Sequence, residues 1–124
     1  MIKVSGLKAT QGRLVRETVA PFLSQDADGE HADMIRVRYF TMSIAESEGY
    51  RNRIKELGDD ALWPDMLLPI LESLPDFVDD KDRPAKITYE MLSEMNTVNL
   101  QAIHTAIGED ISRPKSRPSV PPNG

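Results

Sequence analysis

The sequence has 124 residues, of which 40% are hydrophobic and 28% charged, and it contains no cysteine. This length suits one domain with a modest core, and the lack of cysteine excludes disulfides, thiolate metal sites and cysteine nucleophiles. A formal net charge of -5 argues against a broad nucleic-acid surface. No apolar run approaches the roughly 18 residues of a membrane span, and no secretory signal opens the chain. We therefore expect a cytoplasmic protein.

The first forty residues favour strands. "MIKV" at the start is short and β-branched, and "MIRVRYF" alternates Ile35, Val37 and Tyr39 with two arginines. The preceding "RLVRETV" fits a strand or a helix by its own pattern. Between these segments "SQDADGEHAD" is polar and contains the turn dipeptide Asp28-Gly29. The pattern predicts a hairpin over residues 13–40 with a long acidic loop.

From Thr41 onward the pattern predicts helices. "SIAE" is a capping box in which Ser43 and Glu46 exchange side-chain and backbone hydrogen bonds. Ile44, Tyr50, Ile54 and Leu57 follow near one face, and Gly58 is expected to end this first helix.

The second predicted helix begins near Asp60 and runs through "WPDMLLPILESLPDF", with an apolar stripe at Leu62, Met66, Ile70 and Leu74. Pro64 fits the first turn, and Pro75 marks the end. Pro69 is anomalous, because a continuous helix there would kink at a cost of about 3 kcal/mol. Trp63 and Phe77 are interpreted as core residues, with an interface role as the alternative.

A short third helix is predicted after Thr88, and a fourth over residues 98–107, capped by "NT" and stopped by Gly108. The segment "SRPKSRPSVPPNG" is rich in proline and basic residues and predicts a flexible tail. We therefore expect an α+β fold: a single domain over residues 1–111, with an N-terminal hairpin or small antiparallel sheet packed by three to four helices, and a disordered tail over residues 112–124.

The sequence contains no catalytic signature. The "DADGE" segment fails as a calcium loop, because Ile35 occupies the position that needs a bidentate glutamate. His31 and His104 have no partner at metal-ligand spacing and no accompanying nucleophile motif, and glycine-rich nucleotide loops are absent. We predict a protein that is not an enzyme and uses no cofactor or metal.

The order and character of the segments carry a resemblance to a known family. The capped helix "TMSIAESEGYRNRIKEL" is followed by "WPDMLLPILESLPDF", an acidic loop, "ITYEMLSEM" and "TVNLQAIHTAIGED". This arrangement, over roughly residues 12–116, resembles the tail assembly chaperones of long-tailed bacteriophages and prophages.

The resemblance implies a small, acidic, non-enzymatic protein that coats the tape measure protein, helps recruit tail tube subunits and leaves before the tail is complete. It implies the tape measure and tail tube proteins as partners, no binding to nucleic acid or membrane, and possible homo-oligomers. Two alternatives stay open: a structural tail-completion or tube-associated virion protein, and a bacterial adaptor or regulatory subunit.

A chaperone of this kind needs apolar surface for its partner. We expect that surface on two helical stripes, the first of which is shared between core and partner. The candidate partner-binding residues are Trp63, Met66, Ile70 and Leu74 on the second helix and Leu100, Ile103 and Ile107 on the last.

Overall fold

The computed structural model describes residues 14–112. Two long strands come first, followed by a helix, a 3-10 turn, a short helix, a third short strand and two further helices. Their bounds are β1 (Val15–Asp26), β2 (Gly29–Phe40), α1 (Ile44–Leu57), the 3-10 turn (Gly58–Asp60), α2 (Trp63–Leu67), β3 (Leu71–Ser73), α3 (Tyr89–Glu94) and α4 (Thr97–Ser112).

The strands form an antiparallel sheet in the order β1-β2-β3. One face of β2 is apolar, because Ile35, Val37 and Tyr39 alternate with exposed residues and are buried, and Ala20 of β1 lies opposite Ile35. The helices α2, α3 and α4 contribute Leu67, Leu92, Leu100, Ile103 and Ile107 to the core, and the region of β3 adds Ile70, Leu71 and Leu74. The predicted α+β class, with an N-terminal antiparallel sheet and helices packed on it, is confirmed.

The predicted long hairpin loop is wrong. The strands pair continuously up to Asp26 and Gly29, so that only Ala27 and Asp28 form the turn. Gly29 has a φ of 113°, a conformation that glycine adopts without strain. The polar residues of "SQDADGEHAD" therefore lie in strands. Both faces of this outer part of the hairpin are largely exposed, and a ribbon exposed on both faces needs no apolar alternation.

Helix α1 begins and ends where the sequence predicts. The Ser43 hydroxyl accepts a hydrogen bond from Glu46 N–H, and the Glu46 carboxylate accepts one from Ser43 N–H. Gly58 is the C-cap, with a φ of 56°. None of the fourteen residues of α1 is fully buried, so this helix lies at the periphery of the fold.

The predicted long second helix is wrong. Helix α2 contains only Trp63–Leu67, and the chain then forms β3. Pro64 stands in the first turn as expected. Beyond it the carbonyl of Ile70 accepts a hydrogen bond from Phe40 N–H at 2.8 Å. Pro69 cannot continue a helix without loss of a hydrogen bond, and the open edge of β2 offers the following residues a strand partner instead.

The last two helices begin where predicted, after Thr88 and at the Asn96 cap. The side chains of Thr88 and Asn96 accept hydrogen bonds from Met91 N–H and Val98 N–H. Helix α4 does not stop at Gly108 but continues to Ser112. The extra turn is held by a buried contact of Asp110, described below, which outweighs the roughly 1 kcal/mol that an internal glycine costs.

Two predictions fall outside the described residues: the strand at "MIKV" and the flexible tail after Ser112.

Among residues 14–112, no helix has both the length and the apolar character needed to cross a membrane.

Candidate binding surface

A groove lies between β1 and α4 and has a volume of about 570 Å³. Its apolar walls are Val19, Pro21 and Met34 of the hairpin and Val98, Ala102 and Ala106 of α4. Val19, Met34 and Val98 are 51%, 62% and 53% exposed. Exposed large apolar side chains gathered at one groove are typical of a binding surface.

The polar lining of the groove is neutral or acidic. Thr18, Gln101 and Thr105 supply neutral groups, and Glu109 and Asp110 of α4 supply carboxylates. No lysine or arginine belongs to the described lining. Two arginines of β2 form ion pairs with other carboxylates. The Arg36 guanidinium lies 2.8 Å from the Asp76 carboxylate, and the Arg38 guanidinium lies 3.7 Å from that of Glu72.

Asn99 fixes the position of α4 against β1. Its side-chain oxygen accepts a hydrogen bond from Leu23 N–H at 2.8 Å, and its side-chain nitrogen donates one to the Leu23 carbonyl at 2.9 Å. One carboxamide thus satisfies both backbone groups of a strand residue, as a neighbouring strand would. Asn99 is 4% exposed, and a buried polar group of this kind is costly unless it is paired.

The pairing at Leu23 also shows which backbone groups face the free edge of β1. Backbone groups of successive strand residues point to opposite edges, so Glu17 and Val19 direct theirs the same way as Leu23, away from β2. Within residues 14–112, β2 is the only strand that pairs with β1. The edge of β1 from residues 15–19 therefore borders the groove with backbone groups that face away from the sheet.

The far end of the groove is anchored by a buried hydrogen bond. The Tyr39 hydroxyl donates to Asp110 Oδ2 at 2.5 Å, and both residues lie in the core. Burial and the neighbouring carboxylate raise the pKa of Tyr39 well above its usual range. This bond ties the last turn of α4 to the middle strand and gives the groove a rigid base.

Most of the residues predicted to bind a partner lie in the core. Ile70, Leu74, Leu100, Ile103 and Ile107 are each at most 5% exposed and belong to the main hydrophobic cluster. Their spacing reflects packing of α4 and the β3 region against the sheet. These five side chains are buried in this fold, so the exposed apolar surface lies elsewhere, and the prediction that they bind a partner stays a prediction.

The other two predicted residues, Trp63 and Met66, are half-buried. Trp63 packs against the core, and its ring lies 5.3 Å from that of His104, centroid to centroid. Phe77 is likewise half-buried and meets Phe22 edge-on at 5.2 Å. Met66 accepts a hydrogen bond through its carbonyl from the Tyr50 hydroxyl. The interpretation of Trp63 and Phe77 as core residues agrees with this packing.

The two histidines occupy different environments. His31 is exposed on the hairpin, 3.1 Å from Asp26. His104 is half-buried beside Trp63, and burial lowers its pKa.

The groove was missed in the sequence although one signal for it is present. Val98, Ala102 and Ala106 recur every four residues on α4 and form a second apolar stripe beside Leu100, Ile103 and Ile107. A helix with two adjacent stripes has more apolar surface than one sheet face covers. The contribution of Val19 and Met34 was not predictable from local pattern, because it depends on how α4 packs beside the hairpin.

Comparisons with known protein families, with curated proteins and with solved structures give no significant match to this chain.

Proposed function

We propose that this protein is a non-enzymatic tail assembly chaperone of a long-tailed bacteriophage or prophage. It acts in the host cytoplasm, binds the tape measure protein and helps recruit tail tube subunits. The proposal begins from the order of segments in the sequence and assigns the binding to the groove between β1 and α4.

The observation that carries the proposal is the groove with its three exposed apolar side chains, Val19, Met34 and Val98. A chaperone must cover an apolar segment of its client and later release it. An open groove of moderate size suits transient binding, because binding energy depends on a few well-packed side chains and not on buried area alone.

The acidic character of the chain supports the same role. A net charge of -5 keeps a protein with exposed apolar residues soluble and limits association through unrelated surfaces. Binding through a defined groove then provides the selectivity.

Co-expression with a tape measure protein tests the proposal. We expect the full chain to increase the soluble fraction of the tape measure protein and to copurify with it. Val98→Glu places a charge in the groove and should abolish both effects. Ile44→Glu is the matched control, because Ile44 is 80% exposed on α1, away from the groove, and should leave both effects intact.

A tape measure protein whose solubility is unchanged by the full chain contradicts the proposal. Mass spectrometry of finished tails separates it from the structural alternative. A chaperone is absent from the completed particle, whereas a tail-completion or tube-associated protein stays in it at fixed stoichiometry.

A further inference from the structure

We propose that residues 1–13 of this chain cover the groove between β1 and α4, and that a partner has to displace them in order to bind there. The inference rests on the proposed function only for the identity of that partner, and it adds regulation of the same site. Residues 1–13 lie outside the described part of the chain. The features that favour them as the occupant are their point of attachment, their composition and their charge.

The first feature is the point at which these residues join the fold. Leu14 precedes β1, and its carbonyl accepts a hydrogen bond from Thr41 N–H at 2.8 Å. The β1 residues that line the groove run from Thr18 to Pro21, and the seven positions from Leu14 to Pro21 cover about 24 Å of strand. A reversal takes about four residues, and nine extended residues span at most roughly 30 Å. Residues 1–13 are therefore long enough to return along the whole groove.

This attachment favours residues 1–13 over an occupant that arrives from solution. A segment joined to its site by a short stretch of chain has an effective concentration on the order of 1 mM. A second copy of the protein, or an unlinked client, at about 1 μM needs roughly a thousandfold higher intrinsic affinity to occupy the groove equally. Residues 1–13 are thus the occupant that every other segment has to displace.

Composition distinguishes residues 1–13 from the other segment outside the described range, residues 113–124. The first segment contains Ile2, Val4 and Leu7 and no proline, whereas the second contains four prolines and a single large apolar residue. The groove presents three exposed large apolar side chains. Only the first segment supplies a comparable set of apolar side chains to cover them.

Charge attracts the same segment to the rest of the protein. Residues 1–13 contain three basic and no acidic residues, whereas residues 14–112 contain nine basic and twenty acidic ones, a formal charge of −11. Opposite net charges raise the local concentration of one body near the other. Arg16 lies opposite Tyr39, the partner of Asp110, and brings one positive charge to that end of the groove. Charge therefore holds residues 1–13 near the body as a whole, and the point of attachment directs them to the groove.

A covered groove makes client binding conditional and reversible. The apparent affinity for a client is reduced in proportion to the fraction of molecules in which the groove is open. The exposed apolar side chains are then shielded from unrelated proteins until a client with sufficient affinity arrives. Residues 1–13 re-enter the groove as the client leaves, which favours release of the client.

A disulfide trap locates residues 1–13, because the chain has no cysteine of its own. Val4→Cys with Ala102→Cys places one thiol before the described range and one in the groove. Val4→Cys with Ile44→Cys is the matched control, because Ile44 is 80% exposed and follows three residues after Thr41, the partner of Leu14. Rates are corrected for the reactivity of each single-cysteine variant toward oxidised glutathione. We expect the groove pair to form a disulfide within the chain at least about tenfold faster than the control pair.

A second position guards against a shifted register. Leu7→Cys replaces Val4→Cys in both pairs, and the same comparison is made. Equal corrected rates for the groove pair and the control pair at both positions would overturn the inference. Disulfides that form between chains, in a yield that rises with protein concentration, would assign the groove to a second copy and would overturn it as well.

Competition with the client tests the consequence for function. The full chain with Ile2→Ser, Val4→Ser and Leu7→Ser together should bind the tape measure protein about three- to tenfold more tightly, because the groove is open in more molecules. Val120→Ser changes the large apolar residue of the other segment and should leave the affinity unchanged. An unchanged or weaker affinity of the triple variant contradicts competition by residues 1–13.

The disulfide test and the co-expression test fail independently. A disulfide specific to the groove, in a protein without any effect on the tape measure protein, would retain the covered groove and contradict the chaperone role. Solubilisation of the tape measure protein by a chain whose groove and control pairs react at equal rates would retain the chaperone role and contradict the covered groove.

Discussion

Asn99 joins the last helix to β1 of the hairpin through two hydrogen bonds. It is separated from Leu23 by 76 positions in the chain, yet its carboxamide satisfies both backbone groups of that residue. A hydrogen bond that is made in the fold contributes about 0.5–1.5 kcal/mol, and a buried partner left unsatisfied costs more. Asn99 therefore contributes to stability and ties α4 to β1 next to the groove.

Replacing Asn99 tests this role. We expect Asn99→Ala to lower the free energy of unfolding by about 1–3 kcal/mol, because two hydrogen bonds are lost and two backbone groups of Leu23 lose their partner. Asn52→Ala, at an exposed position of α1, should change it by less than about 0.5 kcal/mol. Urea unfolding followed by circular dichroism measures both, and equal effects would contradict the assignment.

Among the elements, α1 is the one that depends least on the core. It has its own capping box and its own C-cap, but it contributes no buried residue to the hydrophobic cluster. Half-buried Tyr50, Ile54 and Leu57 make up its inward side, and the Tyr50 hydroxyl donates to the Met66 carbonyl at 2.6 Å. Local opening occurs most readily where few apolar contacts hold an element.

Hydrogen exchange should resolve this difference between elements. We expect amides in the middle of α1 to exchange faster than those of β2 and α4, and Tyr50→Phe to increase the rate in α1 alone, since it removes the hydrogen bond to Met66. Tyr89→Phe, at an exposed position of α3, is the control. Uniform acceleration across the whole chain would mean that α1 opens only with the rest of the fold.

At the scale of the whole molecule, we expect stability to depend on pH through the junction of α2 and α4, where His104 packs beside Trp63. Burial lowers the pKa of His104 from 6.5. As the pH falls below 6.5, His104 takes up a proton in the unfolded chain before it does so in the folded protein. The free energy of unfolding therefore falls as the pH falls. The contribution is present above pH 6.5 and is lost as the pH decreases through the folded pKa.

Unfolding measured between pH 7 and about 5 checks this expectation. His104→Phe keeps a ring against Trp63 and should flatten the pH dependence in that range. The paired carboxylate of Asp76, whose pKa the hydrogen bonds from Arg36 lower below 3.8, affects stability only under more acidic conditions. NMR titration of the imidazole provides the direct measurement, and a pKa at or above 6.5 would contradict the account.

Local chemistry explains which parts of the fold were predictable. The capping box at Ser43 and Glu46, the stop at Gly58 and the cap at Asn96 depend on neighbours within a few residues, and the structure confirms all three. The alternation of Ile35, Val37 and Tyr39 also predicted the buried face of β2 correctly. The α+β class follows from this combination of strand and helix patterns.

Tertiary contacts decided the rest. The segment after Pro69 was expected to be helical but becomes β3, because Phe40 supplies an N–H to Ile70 from 30 positions away. Helix α4 passes Gly108 because Asp110 reaches Tyr39. Periodicity alone marks Leu100, Ile103 and Ile107 as apolar, but a sequence pattern cannot say which of two stripes the sheet covers. The sequence by itself determined the local ends of elements and the apolar faces; packing determined that one face became the core and the neighbouring one the groove.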